Sequence, residues 1–336
     1  MSWCLIESDP GVFWDVVTTL GCFSVDFQEL WSLDEESLKG EECYGLIFLY
    51  KYDRELYQDE AGSVAMVEAP PSSLFFCHQM IENCCATLAV LSVVLNLDRV
   101  IDIGETLTSY RGFCEGLDPE SRGIALANHD GIRAAHNVFG QKSHLIQEDT
   151  KGEDPKGDPF HFVALVPHRQ SQTTWLLDGL RQQPLNLGRW ATADGDSTKA
   201  TKDPDGGQMT AWLRPAIKKI HEIIGALNQS GSEIKFNLIA VTPNKKIALE
   251  EQLGTLRQHL QQALAAQPPV PEQIQSTLNQ INSVKHAVNK INERHQDWVY
   301  DNEIRKLAMT PLYLCALKHL GRRGLLRKTY DAAALR

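Results

Sequence analysis

The pattern of apolar and polar positions changes character at Pro243. Before it, short β-rich runs at 44–50, 73–76, 160–166, 173–177 and 235–241 predict strands. Between them, 12–20, 86–97, 121–139 and 209–224 carry apolar residues at helical spacing. The first helix is announced by Ser8-Asp9-Pro10, a capping side chain followed by a proline whose missing N–H is no loss in a first turn. Strands and helices interleaved in this way predict an α/β or α+β core. From 140 to 158 the pattern stops and Lys, Glu, Asp, Gly and Pro dominate. A loop of that length inside a compact domain is usually functional or disordered.

After Pro243 the period is helical throughout. Leu249, Leu253, Leu256, Leu260 and Leu264 recur at intervals of three and four before Pro268-Pro269-Val270-Pro271 breaks the run. Ile274, Leu278, Ile281, Val284, Val288 and Ile291 then form a second stripe ahead of Trp298, and a third apolar helix covers 311–320. A helical hairpin is expected, its stripes serving internal packing or the seating of a partner helix. The chain divides accordingly into 1–243 and 244–336, in keeping with about two domains for 336 residues. No internal repeat of about 20–50 residues is present.

Charge sharpens the division. Residues 244–336 hold 14 Lys+Arg against 8 Asp+Glu, a balance of +6, whereas 1–243 hold 19 against 35, a balance of −16. The overall net charge of −10 argues against a nucleic-acid partner held by a basic surface. Residues 1–11 carry Glu7 and Asp9 where a secretion signal would be basic, and the apolar run at 86–97 is about half a bilayer span, so secretion and membrane insertion are not expected. The eight cysteines show no CxxC pair and no histidine partners at zinc spacing. Free thiols in a reducing compartment and no metal or other cofactor follow as expectations. Neither HExxH nor GxxxxGK[ST] occurs.

The strongest chemical signal is the segment from Phe75-Phe76-Cys77-His78-Gln79 to Asn83-Cys84-Cys85-Ala86-Thr87, which is expected to lead from a strand through a polar turn into an apolar helix. Cys85 would open that helix, where unpaired N–H groups and the macrodipole favour thiolate over thiol. Cys84 competes one residue earlier, but adjacent helical residues point about 100° apart; Cys77 reads as core. His161 stands in the apolar strand Phe160-His161-Phe162-Val163, so its imidazole is either a satisfied core group or the wall of a cleft. With the polar turn taken as 168–171, strand positions pair when their numbers sum to 339, and His161 faces Asp178, near enough for the carboxylate to orient an imidazole Nδ1–H. That inference depends on the register. Gln79, at the end of the strand and six residues before Cys85, could point its side-chain amide at an oxyanion formed there. Gln79, Cys85, His161 and Asp178 together make an acyl-transfer set.

At these residues the sequence closely resembles the ubiquitin C-terminal hydrolase family of cysteine deubiquitinases, especially its larger, proteasome-associated type with a helical C-terminal extension. The resemblance runs through Glu7-Ser8-Asp9-Pro10-Gly11-Val12-Phe13, Glu29-Leu30-Trp31-Ser32-Leu33, Tyr44-Gly45-Leu46-Ile47-Phe48-Leu49, Asn83-Cys84-Cys85-Ala86-Thr87, His161-Phe162-Val163 and Leu177-Asp178-Gly179-Leu180-Arg181. It implies a papain-like fold with a mostly antiparallel sheet between helices, a knotted backbone and an all-α extension. It implies Cys85 as nucleophile, His161 as base and acid, Asp178 as its orienter, Gln79 as oxyanion donor and Asn83 as a supporting hydrogen bond. It also implies 141–159 as the loop across the active site, ubiquitin as substrate, and a cytoplasmic and nuclear enzyme docked through its C-terminal helices on a proteasomal ubiquitin receptor. Cys84 and Leu88 depart from the family pattern, and the charged tail is shortened to 322–336. A non-catalytic ubiquitin-binding adaptor and a general papain-like peptidase are the rival readings.

Overall fold

The computed structural model describes residues 3–33, 42–52, 69–140, 160–190, 211–229, 235–265, 271–307, 310–325 and 327. Among the described residues six strands form one sheet in the order β1-β6-β2-β3-β4-β5: β1 Val25–Glu29, β2 Gly45–Lys51, β3 Phe160–His168, β4 Thr173–Leu177, β5 Leu185–Arg189 and β6 Phe236–Pro243. Every pairing is antiparallel. Both faces are covered, which is why the inner strands read as unbroken apolar runs rather than as alternation. Phe162, Ala164 and Val166 of β3 enter a core shared with α1 (Pro10–Thr19) and α2 (Cys85–Val94). Val163 and Leu165 enter a second core with Leu46, Phe48 and the α6 helix (Leu213–Gln229). Among the described residues the first unit also holds α3 (Glu105–Phe113), α4 (Pro119–Ala127) and α5 (Asp130–Asn137).

Local chemistry sets the boundaries. Asp9 caps α1 by accepting from the Gly11 and Val12 N–H groups at 2.8 and 3.1 Å. The helix expected over 121–139 is two helices, because the His129 ring takes the Ile132 N–H and starts α5 afresh. The strand expected at 73–76 does not form. The Asn96 side-chain amide occupies both backbone groups of Phe75, at 2.7 and 3.0 Å, in place of a neighbouring strand.

The C-terminal region is a hairpin of α7 (Lys245–Ala265) and α8 (Pro271–Lys306), followed by α9 (Thr310–Arg322). Leu253 and Leu256 meet Ile281, Val284 and Val288 in a core of their own. The second half of α8 lies on α1. Trp298 packs where a Cβ on Gly11 would come within 2.7–3.0 Å of it, Trp14 and His295 stack at 4.7 Å, and Arg294 and His295 both engage the buried Asp26 carboxylate. Among the described residues no helix is long and apolar enough to cross a membrane.

Candidate active site

The turn into α2 is made by Asn83, which holds a left-handed φ of 65° that a short polar side chain tolerates. Its Nδ2 donates to the Trp3 carbonyl at 3.2 Å, tying the turn to the N-terminal segment. Cys84 is the N-cap and Cys85 the first helical residue. The Cys84 thiol donates to the Ile81 carbonyl at 3.1 Å and lies in the core, and burial pushes its pKa up to about 12. The backbone N–H dipoles of Phe162, Ala86 and Cys85 itself act on the Cys85 sulfur. These lower its pKa as the helix start leads one to expect, yet burial outweighs them and the net shift is upward. The resting group is therefore a thiol, not the enriched thiolate expected from its position alone.

His161 Nε2 and Asp178 Oδ1 stand 2.8 Å apart, both residues buried. The pairing that brings them together differs from the expected one. β3 continues to His168, the turn is 169–172, and positions pair when their numbers sum to 341. The shift of two preserves the face, so Asp178 meets His161 from just beyond the end of β4. It also changes the ring atom: Nε2, not Nδ1, faces the carboxylate. The Leu180 N–H donates to Asp178 Oδ1 at 3.0 Å, and Arg181 Nε lies 3.6 Å from Oδ2. Burial, helped by the charge of Arg181, pushes His161 down to about 4. Burial raises Asp178 to about 6 against the opposing pull of the Leu180 N–H and Arg181. At neutral pH Asp178 is thus ionised and His161 is neutral, with the Nε2 proton assigned to the carboxylate by the network. Tyr50 and Tyr52 meet the imidazole edge-on, with ring centroids 6.2 and 5.8 Å away.

Gln79 lies on a loop rather than at a strand end. Its N–H donates to the Gly179 carbonyl at 2.8 Å, which fixes it beside Asp178, and its Oε1 is buried without a hydrogen-bond partner among the described residues. Gly179 is required by this approach: a Cβ there would lie 2.9 Å from the Gln79 backbone nitrogen and 2.4 Å from a Leu88 methyl. The fold thus brings together Cys85 at the start of α2, His161 on β3, and Asp178 and Gln79 on two bonded loops. The loop expected at 141–159 lies outside the described residues. Arg181 is the residue that reading for catalytic types passed over; a cation three positions after Asp178, at the same strand end, was the available signal. Among the described residues no cluster of His, Cys, Asp and Glu could hold a metal ion.

A family model described as ubiquitin carboxyl-terminal hydrolase, family 1, matches residues 3–203. The chain is 30% identical over 340 residues to ubiquitin carboxyl-terminal hydrolase ubh-4 of Caenorhabditis elegans, covering 99% of this chain and 91% of that one. It is 31% identical over 355 residues to ubiquitin carboxyl-terminal hydrolase isozyme L5 of Dictyostelium discoideum, covering 98% and 95%. The chain belongs to this family and is a cysteine deubiquitinase of papain-like fold. Within the family it is similar through most of its length to Trichinella spiralis UCH37, solved bound to ubiquitin vinyl methyl ester. The TM-score is 0.60 at 30% identity, over 88% of this chain and 99% of that one.

Proposed function

We propose that the chain hydrolyses the bond after the C-terminal glycine of ubiquitin, with Cys85 as nucleophile, His161 as general base and acid, Asp178 as orienter and Gln79 as oxyanion donor. The observation that carries this reading is the His161–Asp178 pair at 2.8 Å, with Cys85 opening a helix that packs against the strand of His161. Because Nε2–H is held by Asp178, Nδ1 is the basic nitrogen that takes the Cys85 proton as the sulfur adds to the carbonyl carbon. The oxyanion is met by the Gln79 side-chain amide, and His161 returns the proton to the leaving amine as the C–N bond breaks. Water then attacks the thioester, again losing its proton to His161, and the Cys85 thiol is regenerated. Asn83 acts by pinning the turn before the nucleophile. The test is release of fluorophore from a ubiquitin C-terminal amide: Cys85→Ala and His161→Ala abolish it, and Cys84→Ala keeps most of it. Full turnover by Cys85→Ala would refute the assignment.

The division of labour follows the same lines. Residues 1–243 catalyse, and the acidic balance of that region suits the basic tail of ubiquitin. Residues 244–336 recruit the enzyme to a proteasomal ubiquitin receptor, in the cytoplasm and the nucleus. Support comes from α9, whose Leu312, Tyr313 and Leu317 are exposed. In the full chain, Leu317→Asp should abolish co-purification with proteasomes and leave hydrolysis of the small substrate intact; retained co-purification would end the recruitment role for α9.

A further inference from the structure

The C-terminal arm touches the N-terminal segment at one end, and that segment touches the nucleophile helix at the other. On the arm, Arg305 places Nη2 2.8 Å from Asp9 Oδ2 and Nε 3.2 Å from Glu7 Oε2. Its Nη1 donates to Asn302 Oδ1 at 2.9 Å, while Asn302 Nδ2, fully buried, donates to the Gly11 carbonyl at 2.8 Å. At the other end the Trp3 carbonyl accepts from Asn83 and the Cys4 carbonyl accepts from His136 Nε2 at 2.7 Å. The other nitrogen of His136 meets Thr87 Oγ1 at 2.7 Å in the buried interior. Asn83 and Thr87 stand two residues before and two residues after Cys85. Glu7, Arg305 and Asn83 also line one cavity of about 500 Å³, so both ends of the segment border the same space.

We propose that Arg305 is a positioning residue for the nucleophile: the arm acts on Cys85 through the strap of residues 3–9, held by Arg305 at one end and by Asn83 and His136 at the other. The inference rests on Cys85 being the nucleophile. It concerns the placement of α2 and not the capture of ubiquitin. Removing the guanidinium leaves the Glu7 and Asp9 carboxylates without their bidentate partner and frees the strap, so the turn at Asn83 loses its fixed support. Networks of this kind transmit changes of about three- to tenfold in rate.

The test uses the full chain with a fluorogenic ubiquitin amide, and iodoacetamide with peptide mapping as a probe that needs no ubiquitin. Arg305→Gln should lower kcat about three- to tenfold with KM unchanged within about twofold, and should alter the iodoacetamide rate at Cys85 by a similar factor. Lys306→Ala provides the control, because Lys306 bonds Asp15 at the same interface, 3.1 Å away, without touching the strap. It should leave both rates at the wild-type value. No hydrogen bond joins Arg305 and Asn83, so independent effects would add; the strap requires that Arg305→Gln and Asn83→Ala combine to less than their sum. Additive effects, or equal loss of rate and melting temperature in Arg305→Gln and Lys306→Ala, would overturn the proposal and leave Arg305 as an ordinary docking contact. The exposed Cys315 is alkylated in every variant and serves as an internal reference; full turnover by Cys85→Ala would instead overturn the nucleophile assignment beneath the proposal.

Discussion

Replacing Gly179 by alanine places a methyl group where two parts of the active site already touch. The new Cβ would lie 2.4 Å from a Leu88 methyl, 2.9 Å from the Gln79 Cβ and 2.9 Å from the Gln79 backbone nitrogen. The leucine end can rotate away, but the Gln79 backbone cannot, and it must retreat by about 0.5 Å to reach an ordinary contact distance of about 3.5 Å. The retreat acts directly on the 2.8 Å hydrogen bond from Gln79 N–H to the Gly179 carbonyl. Overpacking of this kind destabilises by about 1–3 kcal/mol. A misplacement of about 1 Å can cost about 10²-fold in rate, so half that distance at the oxyanion donor corresponds to about tenfold in kcat. The assay is steady-state hydrolysis of a fluorogenic ubiquitin amide beside a thermal melt. Gly179→Ala should show a lower melting temperature, a kcat down about tenfold and a KM close to wild type. On a Gln79→Ala background, itself down about 10²-fold, the further loss in kcat should vanish while the loss in melting temperature persists. A folded Gly179→Ala with kcat within twofold of wild type would refute this placement of Gln79.

Four further outcomes follow from the structure. Because burial raises the Cys85 pKa, its alkylation by iodoacetamide in the free enzyme should keep rising from pH 7 to 9; a plateau already reached below pH 7 would mean a standing thiolate–imidazolium pair. Hydrolysis should weaken as pH falls through about 6, where Asp178 takes a proton, and fail toward 4, where His161 does. Activity undiminished at pH 5 would contradict those environments. His161→Ala should lower kcat by about 10²–10⁴-fold, and Asp178→Asn by less, since the base remains and only its orientation is lost; equal losses would place Asp178 in the proton transfer itself. Gly11→Ala raises helix propensity yet drives a methyl into Trp298, so hydrogen exchange over α8 should increase and stability should fall by about 1–3 kcal/mol. A stabilised variant with unchanged exchange would show that α8 does not bear on Gly11.

The parts of the fold that read directly from the sequence are those whose cause is local. β3 and β4 are buried on both faces and announce themselves as apolar runs, and α1 carries its cap and its proline in plain order. The register between β3 and β4 was not legible because it hangs on the turn. His168 stays in the strand, its ring tied to Ser73 and Ser171 at 2.9 and 2.6 Å, while Gln172 takes the left-handed conformation at the far side. That moves the four-residue turn by one position and the pairing sum by two. The 73–76 run failed for a different reason, since only the folded chain brings Asn96 to serve Phe75 as a surrogate strand. Among site residues, Cys85, His161, Asp178 and Gln79 were visible as chemical types in suitable surroundings. The protonation state of Cys85 was not, because burial is a property of the assembled core. The docking of α8 was hidden because Trp298, Asn302 and Arg305 share one helical face that is mostly polar, so no apolar stripe marks it.

The assignment of the nucleophile is tested most directly by treating the full-length enzyme with a ubiquitin whose C-terminus carries a vinyl methyl ester, followed by digestion and mass spectrometry of the adduct. Cys85 opens α2, and Cys84 is turned into the core against the Ile81 carbonyl. The adduct mass is expected on Cys85 alone, with labelling lost in Cys85→Ala and kept in Cys84→Ala. Adduct on Cys84, or labelling that survives Cys85→Ala, would contradict it.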